Sequence, residues 1–156
     1  MIFWTTLLII HGLLAVALLG AVTHQALALW WPARAAVGSF VGRLRAVPGT
    51  SYVGAIIVLY VITFILGAWI YTQYRFTSRL ALEQLRFLKT VGAFELKEHL
   101  ATMGLIVLPV YWAYWRQPLV PELASARRQV TLLLAVLVWS NFLIGHIANN
   151  ARGMGS

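Results

Sequence analysis

Residues 2–31 read IFWTTLLIIHGLLAVALLGAVTHQALALWW, thirty positions without one charged side chain. A helix needs about 20 predominantly apolar residues to cross the roughly 30 Å of hydrocarbon in a bilayer. This run is long enough with residues to spare. Backbone amides in lipid must be satisfied within the segment, so a helix is the only economical reading. A cleaved signal peptide is the competing reading. Met1 to Thr6 holds no basic side chain, and the apolar stretch is about twice the length of a normal signal core. The run therefore reads as a spanning helix, with Trp4, Trp30 and Trp31 as its interface belts.

Three further runs carry the same signature. They cover 52–74, 97–115 and 129–148. The third is strictly apolar only from Leu100 to Trp115, and Glu95 to His99 begin its helix before it enters the core. Tyr71 with Tyr74, and Trp112 with Trp115, mark further boundaries. The expected fold is all-α: one polytopic domain over 1–156, a bundle of four transmembrane helices with short loops. The stretch from Leu80 to Phe94 mixes Leu80, Leu82, Leu85, Phe87 and Leu88 with Glu83, Arg86 and Lys89. It reads equally as an amphipathic helix lying on the interface or as an extension of the second span.

Composition agrees. Of 156 residues, 61% are hydrophobic and 10% charged, where a soluble domain carries about 25% charged. The net charge of +8 arises from twelve Lys and Arg against four Glu. The basic residues lie between the apolar runs, as in membrane loops, and no nucleic-acid-binding module is present. The absence of Cys excludes disulfides, thiolate metal sites and Cys-linked haem. The absence of Asp excludes Ser/His/Asp catalysis, and no phosphate loop or HExxH motif occurs. No catalytic residue is assigned, and an electron-transfer or non-catalytic subunit is expected over a stand-alone enzyme.

Four crossings place both termini on one side of the membrane, side A, together with residues 75–97. Side B holds 32–50 and 116–128. Each side carries six basic residues, so their count does not orient the chain. The first helix has no basic residue before it and Arg34 after it, which points side B to the cytoplasm and the termini to the periplasm. A bacterial inner membrane is the expected location.

The polar residues inside the spans carry the functional reading. An ionisable group in hydrocarbon is costly and marks a functional site by default. Helix rise places His11 about 9 Å, His99 about 12 Å and His146 about 11 Å towards side A of their helix midpoints. Gly12, Gly67, Gly104 and Gly145 fall in the same slab, where small residues admit a flat ring or another helix. Imidazole ligates haem iron and copper. One cofactor layer at most, on side A, is expected. A b-type haem would be held by two of His11, His99 and His146, with His99 and His146 the favoured pair. Copper held by His11, His99, His146 and Met103 is the alternative, and a cofactor-free accessory subunit is a third reading. His24 lies about 10 Å towards side B and about 140° off the face of His11, so a second stacked haem is not expected. His24 with Gln25 is assigned to a neighbouring helix or a quinone head group. Glu95, Glu98 and His99 form the densest polar cluster at the side-A interface. They read as a proton or quinone exchange site, or as a cap on the third helix.

Four short helices with intramembrane histidines resemble the small b-type cytochrome anchor subunits of bacterial respiratory complexes. The opening His11-Gly-Leu-Leu-Ala-Val-Ala-Leu-Leu-Gly20 also resembles the first helix of copper-resistance membrane proteins of the CopD kind. The first resemblance implies a haem, a quinone and partner membrane subunits. The second implies copper.

Overall fold

The computed structural model describes residues 2–31 and 38–151. Arg34 and Arg152, which enter the charge comparison, lie outside the described residues. Six α-helices occur among the described residues: α1 (Ile2–Trp30), α2 (Phe40–Arg45), α3 (Val53–Phe76), α4 (Ser78–Gln84), α5 (Leu88–Arg116) and α6 (Ala124–Ala151). Short 3-10 turns at Gly49–Tyr52 and Pro121–Leu123 lead into α3 and α6. There is no strand among the described residues, so the all-α expectation holds.

Proline sets several of the boundaries. Pro48 is extended and hands the chain to the turn before α3. Gln117 is extended because it precedes Pro118, and α5 stops there. Pro121 opens the turn into α6, where its missing N–H costs nothing.

The four long helices pack around one core in the cyclic order α3, α1, α6, α5, with α5 against α6 the most extensive contact. Val22, Ile56, Tyr111, Leu134 and Thr131 are fully buried at its centre. The side-B half is also tied by hydrogen bonds. Gln25, fully buried, donates to the Gly49 carbonyl at 2.9 Å and accepts from the Tyr111 hydroxyl at 2.8 Å. Trp115 donates to Thr131 at 3.0 Å, and Trp139 to Thr23 at 2.9 Å. Polar pairs across helices are the usual fasteners where water supplies no hydrophobic drive.

Three segments, Ile2–Trp30, Gly49–Phe76 and Pro121–Ala148, are long and apolar enough to cross a membrane. Only 11%, 11% and 33% of their most apolar windows are buried inside the molecule. The remainder would be a large apolar surface in water, far beyond what soluble monomers expose. Lipid is its natural solvent. The helix α5 is as long as α1, but charged Lys97 and Glu98 and four aromatic residues near its end lower its apolarity. Three crossings thus stand on length and composition, and the fourth rests on the place of α5 within the bundle.

The stretch from Leu80 to Phe94 is not one helix. It is divided between α4 and the start of α5. Arg86 takes a left-handed φ of 61°. Its amide bonds to Glu83 and the Phe87 amide bonds back to Leu82. That is a Schellman closure of α4, with Phe87 and Leu82 at the two positions where an apolar contact commonly accompanies it. Arg stands where glycine is usual, which is why sequence periodicity runs through the break.

Candidate functional site

Above the tied side-B core, the side-A half of the bundle forms a partly open cavity of about 270 Å³ to which all four long helices contribute. From α1 it receives His11 and Gly12, and from α3 Tyr60, Thr63 and Gly67. From α5 come Lys97 and Glu98, and from α6 Asn141, Gly145 and His146.

Local packing aims these groups. A side chain at Gly67 would stand 3.0 Å from Cε1 of His11, so the missing Cβ of α3 makes the seat for that imidazole. Gly104 does the same for Tyr60, whose hydroxyl reaches past it to donate to the Ala101 carbonyl at 2.8 Å. Gly145 lets the Lys97 stem pass, with Cε 3.2 Å from where a Cβ would be. The Lys97 ammonium lies 3.5 Å from Glu98 and 4.8 Å from the centre of the Phe94 ring. His146 stacks on Phe142 with rings 6.2 Å apart and nearly parallel.

Three buried polar atoms on this wall have no hydrogen-bond partner: His11 Nδ1, Thr63 Oγ1 and Asn141 Oδ1. The Asn141 amide nitrogen donates to Leu137 at 2.8 Å, which leaves its oxygen aimed away from its own backbone. An unsatisfied buried polar group costs about 1–3 kcal/mol. All three belong to residues that line the cavity.

The structure redistributes the residues singled out from the sequence. His11 and His146 share the cavity. His99 does not line it: the side chain is exposed, and its Nδ1 donates to the Glu95 carbonyl one turn back at 2.7 Å. Of the three histidines, the cavity brings together His11 and His146 and leaves His99 outside. Phase is the reason. Phe94, Lys97, Glu98 and Ala101 share the inward face of α5, and residue 99 is rotated about 100° from residue 98. Met103 is 53% exposed and lies off the cavity. Among the described residues no group of three or more His, Cys, Asp or Glu is placed to hold a metal ion. The copper set His11, His99, His146 and Met103 is thus not brought together.

The acidic cluster divides as well. Glu98 lines the cavity. Glu95 turns away to Arg79, 2.9 Å distant, and Arg79 also holds Glu83 at 2.8 Å. Hydrogen bonding to Glu83, then the charges of Glu83 and Glu95, hold the Arg79 guanidinium above its usual pKa range. His24 sits at the other end of the bundle, stacked on Tyr52 at 4.6 Å, while its neighbour Gln25 makes the interhelical bonds expected of it.

Thr63, Tyr60 and Asn141 were not read from the sequence as site residues. One signal existed for the face of α5. Gly104, Leu108, Tyr111 and Trp115 recur at helical spacing, and extending that stripe backwards reaches Ala101 and Lys97, not His99. No family model, no curated protein and no solved structure matches this chain.

Proposed function

We propose that this chain is a four-crossing subunit of a bacterial inner-membrane complex, with its termini periplasmic, that serves electron transfer through a redox group held in the side-A cavity. The observation that carries this reading is the convergence of His11 and His146 with three unpartnered buried polar atoms on one cavity.

A b-type haem is the first occupant considered. The donor set suits it: two imidazoles come from adjacent helices, and glycines stand beside each. His11 and His146 would be the residues that hold it, and Lys97 would place a cation on the same wall. The haem, when bound, supplies one-electron chemistry at a potential set by its ligands and low-dielectric surroundings. The chain itself orients His11 through Gly67 and closes the side-B end of the bundle beneath the site.

A second reading rests on size. Small-molecule sites usually enclose about 300–1,000 Å³, and this cavity of about 270 Å³ falls just below that range. One ring with two carbonyls fills it more readily than a macrocycle. A quinone head group would accept from the Thr63 hydroxyl, with His11 and Glu98 the proton-exchanging side chains on the same cavity. Partner subunits supply and remove the electrons in either reading.

Optical spectra of the purified protein from a haem-sufficient host separate the two. Reduced-minus-oxidised haem bands support the first occupant. A colourless protein whose melting temperature rises with a short-chain quinone supports the second, since a ligand binding only the native state stabilises it. A colourless protein indifferent to quinone would reduce the chain to a cofactor-free accessory subunit.

A further inference from the structure

The corner where α3 passes through α4 into α5 presents an unusual surface. Its inner side is closed. Leu82 and Val91 pack on Tyr74, and Tyr74 stacks on Phe94 with centroids 4.0 Å apart. Arg79 is consumed by Glu83 and Glu95. Its outer side is apolar and bare: Phe76 is 73% exposed, Leu85 66% and Leu88 62%, with Leu80 and Phe87 also exposed. These residues continue the outward apolar surface of α3, which ends at Phe76. Arg75, Arg86 and Lys89 are exposed in the same corner, and no ion pair to any of them is formed among the described residues. Four cations stand against two carboxylates between residues 75 and 95.

We infer that this corner is a docking surface for anionic lipid on the side-A leaflet. The apolar side chains enter the headgroup–acyl boundary as the continuation of a lipid-facing helix. The three unpaired cations then sit at the height of lipid phosphates. Basic groups beside an interfacial apolar face attract anionic headgroups, and zwitterionic lipids offer no net charge to neutralise them. Arg79 holds both local carboxylates, which leaves Arg75, Arg86 and Lys89 without an acidic partner among the described residues and the corner with an excess of positive charge. A protein partner is disfavoured because the apolar rim is contiguous with a surface that lipid already covers. The inference does not depend on what occupies the cavity.

The test uses the full chain in neutral detergent, with melting temperature read as phosphatidylglycerol or phosphatidylcholine is added. Phosphatidylglycerol is expected to raise it by several degrees more than phosphatidylcholine. Combining Arg75→Gln, Arg86→Asn and Lys89→Gln should remove most of that difference; Asn is chosen because it tolerates the left-handed turn. Replacing exposed side-B cations, Arg116→Gln with Arg128→Gln, should leave it intact. In the unaltered chain the difference should shrink in high salt, because exposed charges are screened. That salt measurement decides the matter if the triple variant does not fold. Equal stabilisation by both lipids, an equal loss in the side-B variant, or reproduction of the effect by inorganic phosphate would each overturn the assignment.

Discussion

Glu95 and Glu98 differ by three positions on α5 and answer to different partners. Glu98 faces the cavity and Lys97, while Glu95 is held by Arg79 outside it. Glu98→Gln should slow turnover of the assembled complex without lowering its abundance. Glu95→Gln should leave turnover intact and cost about 0–1 kcal/mol of stability, the ordinary worth of a partly exposed ion pair. Activity per assembled complex, measured beside a detergent melt, distinguishes the two. Gly67→Ala places a methyl against the His11 ring. It should cost about 1–3 kcal/mol through overpacking and alter the spectrum of any group bound at His11. An unchanged spectrum would mean that Gly67 does not seat the imidazole. Depth along each helix was legible at this scale, because rise per residue is nearly constant. Rotation was not read for α5, and His99 was placed in a site from which its side chain points away.

Among the elements, the hairpin of α5 and α6 depends on one buried cation. Arg127 is 4% exposed and sits near the start of α6. Its guanidinium donates to the carbonyls of Tyr114, Gln117 and Pro118, where α5 has run out of amides. Arg127→Ala would strand those carbonyls, and charged hydrogen bonds are worth about 1.5–3 kcal/mol each. The expected outcome is a large fall in melting temperature, greater than for any single substitution of an exposed residue between α5 and α6. Arg86→Gly should act oppositely, by relieving a left-handed turn worth roughly 1 kcal/mol. The long helices were legible because uninterrupted apolar runs and proline placement define them directly. The break between α4 and α5 was not, because its turn is closed by an Arg that carries no signal of a left-handed backbone.

For the whole molecule, the cyclic packing of α3, α1, α6 and α5 requires α5 to run the length of the bundle. If α5 also crosses, as we propose, residues 84 and 117 lie on opposite membrane faces. The chain has no cysteine, so single replacements report position cleanly. In intact cells or sealed vesicles, Gln84→Cys and Gln117→Cys should differ in labelling by an impermeant maleimide, and Ser39→Cys should match Gln117→Cys. Identical labelling at 84 and 117 would mean three crossings. The packing also divides labour between the two ends. Side B is tied by Gln25, Tyr111 and Trp115 into a closed core, while on side A the cavity-lining residues His11, Thr63 and Asn141 each keep one buried polar atom without a partner. The central claim is that a redox group occupies that cavity between His11 and His146. The most direct measurement is the reduced-minus-oxidised spectrum of purified protein for the unaltered chain and for His11→Ala, His146→Ala, His99→Ala and His24→Ala. The account predicts haem bands that vanish with His11 or His146 and persist without His99 or His24. Bands that survive loss of His11 and His146 but disappear with His99 would contradict it.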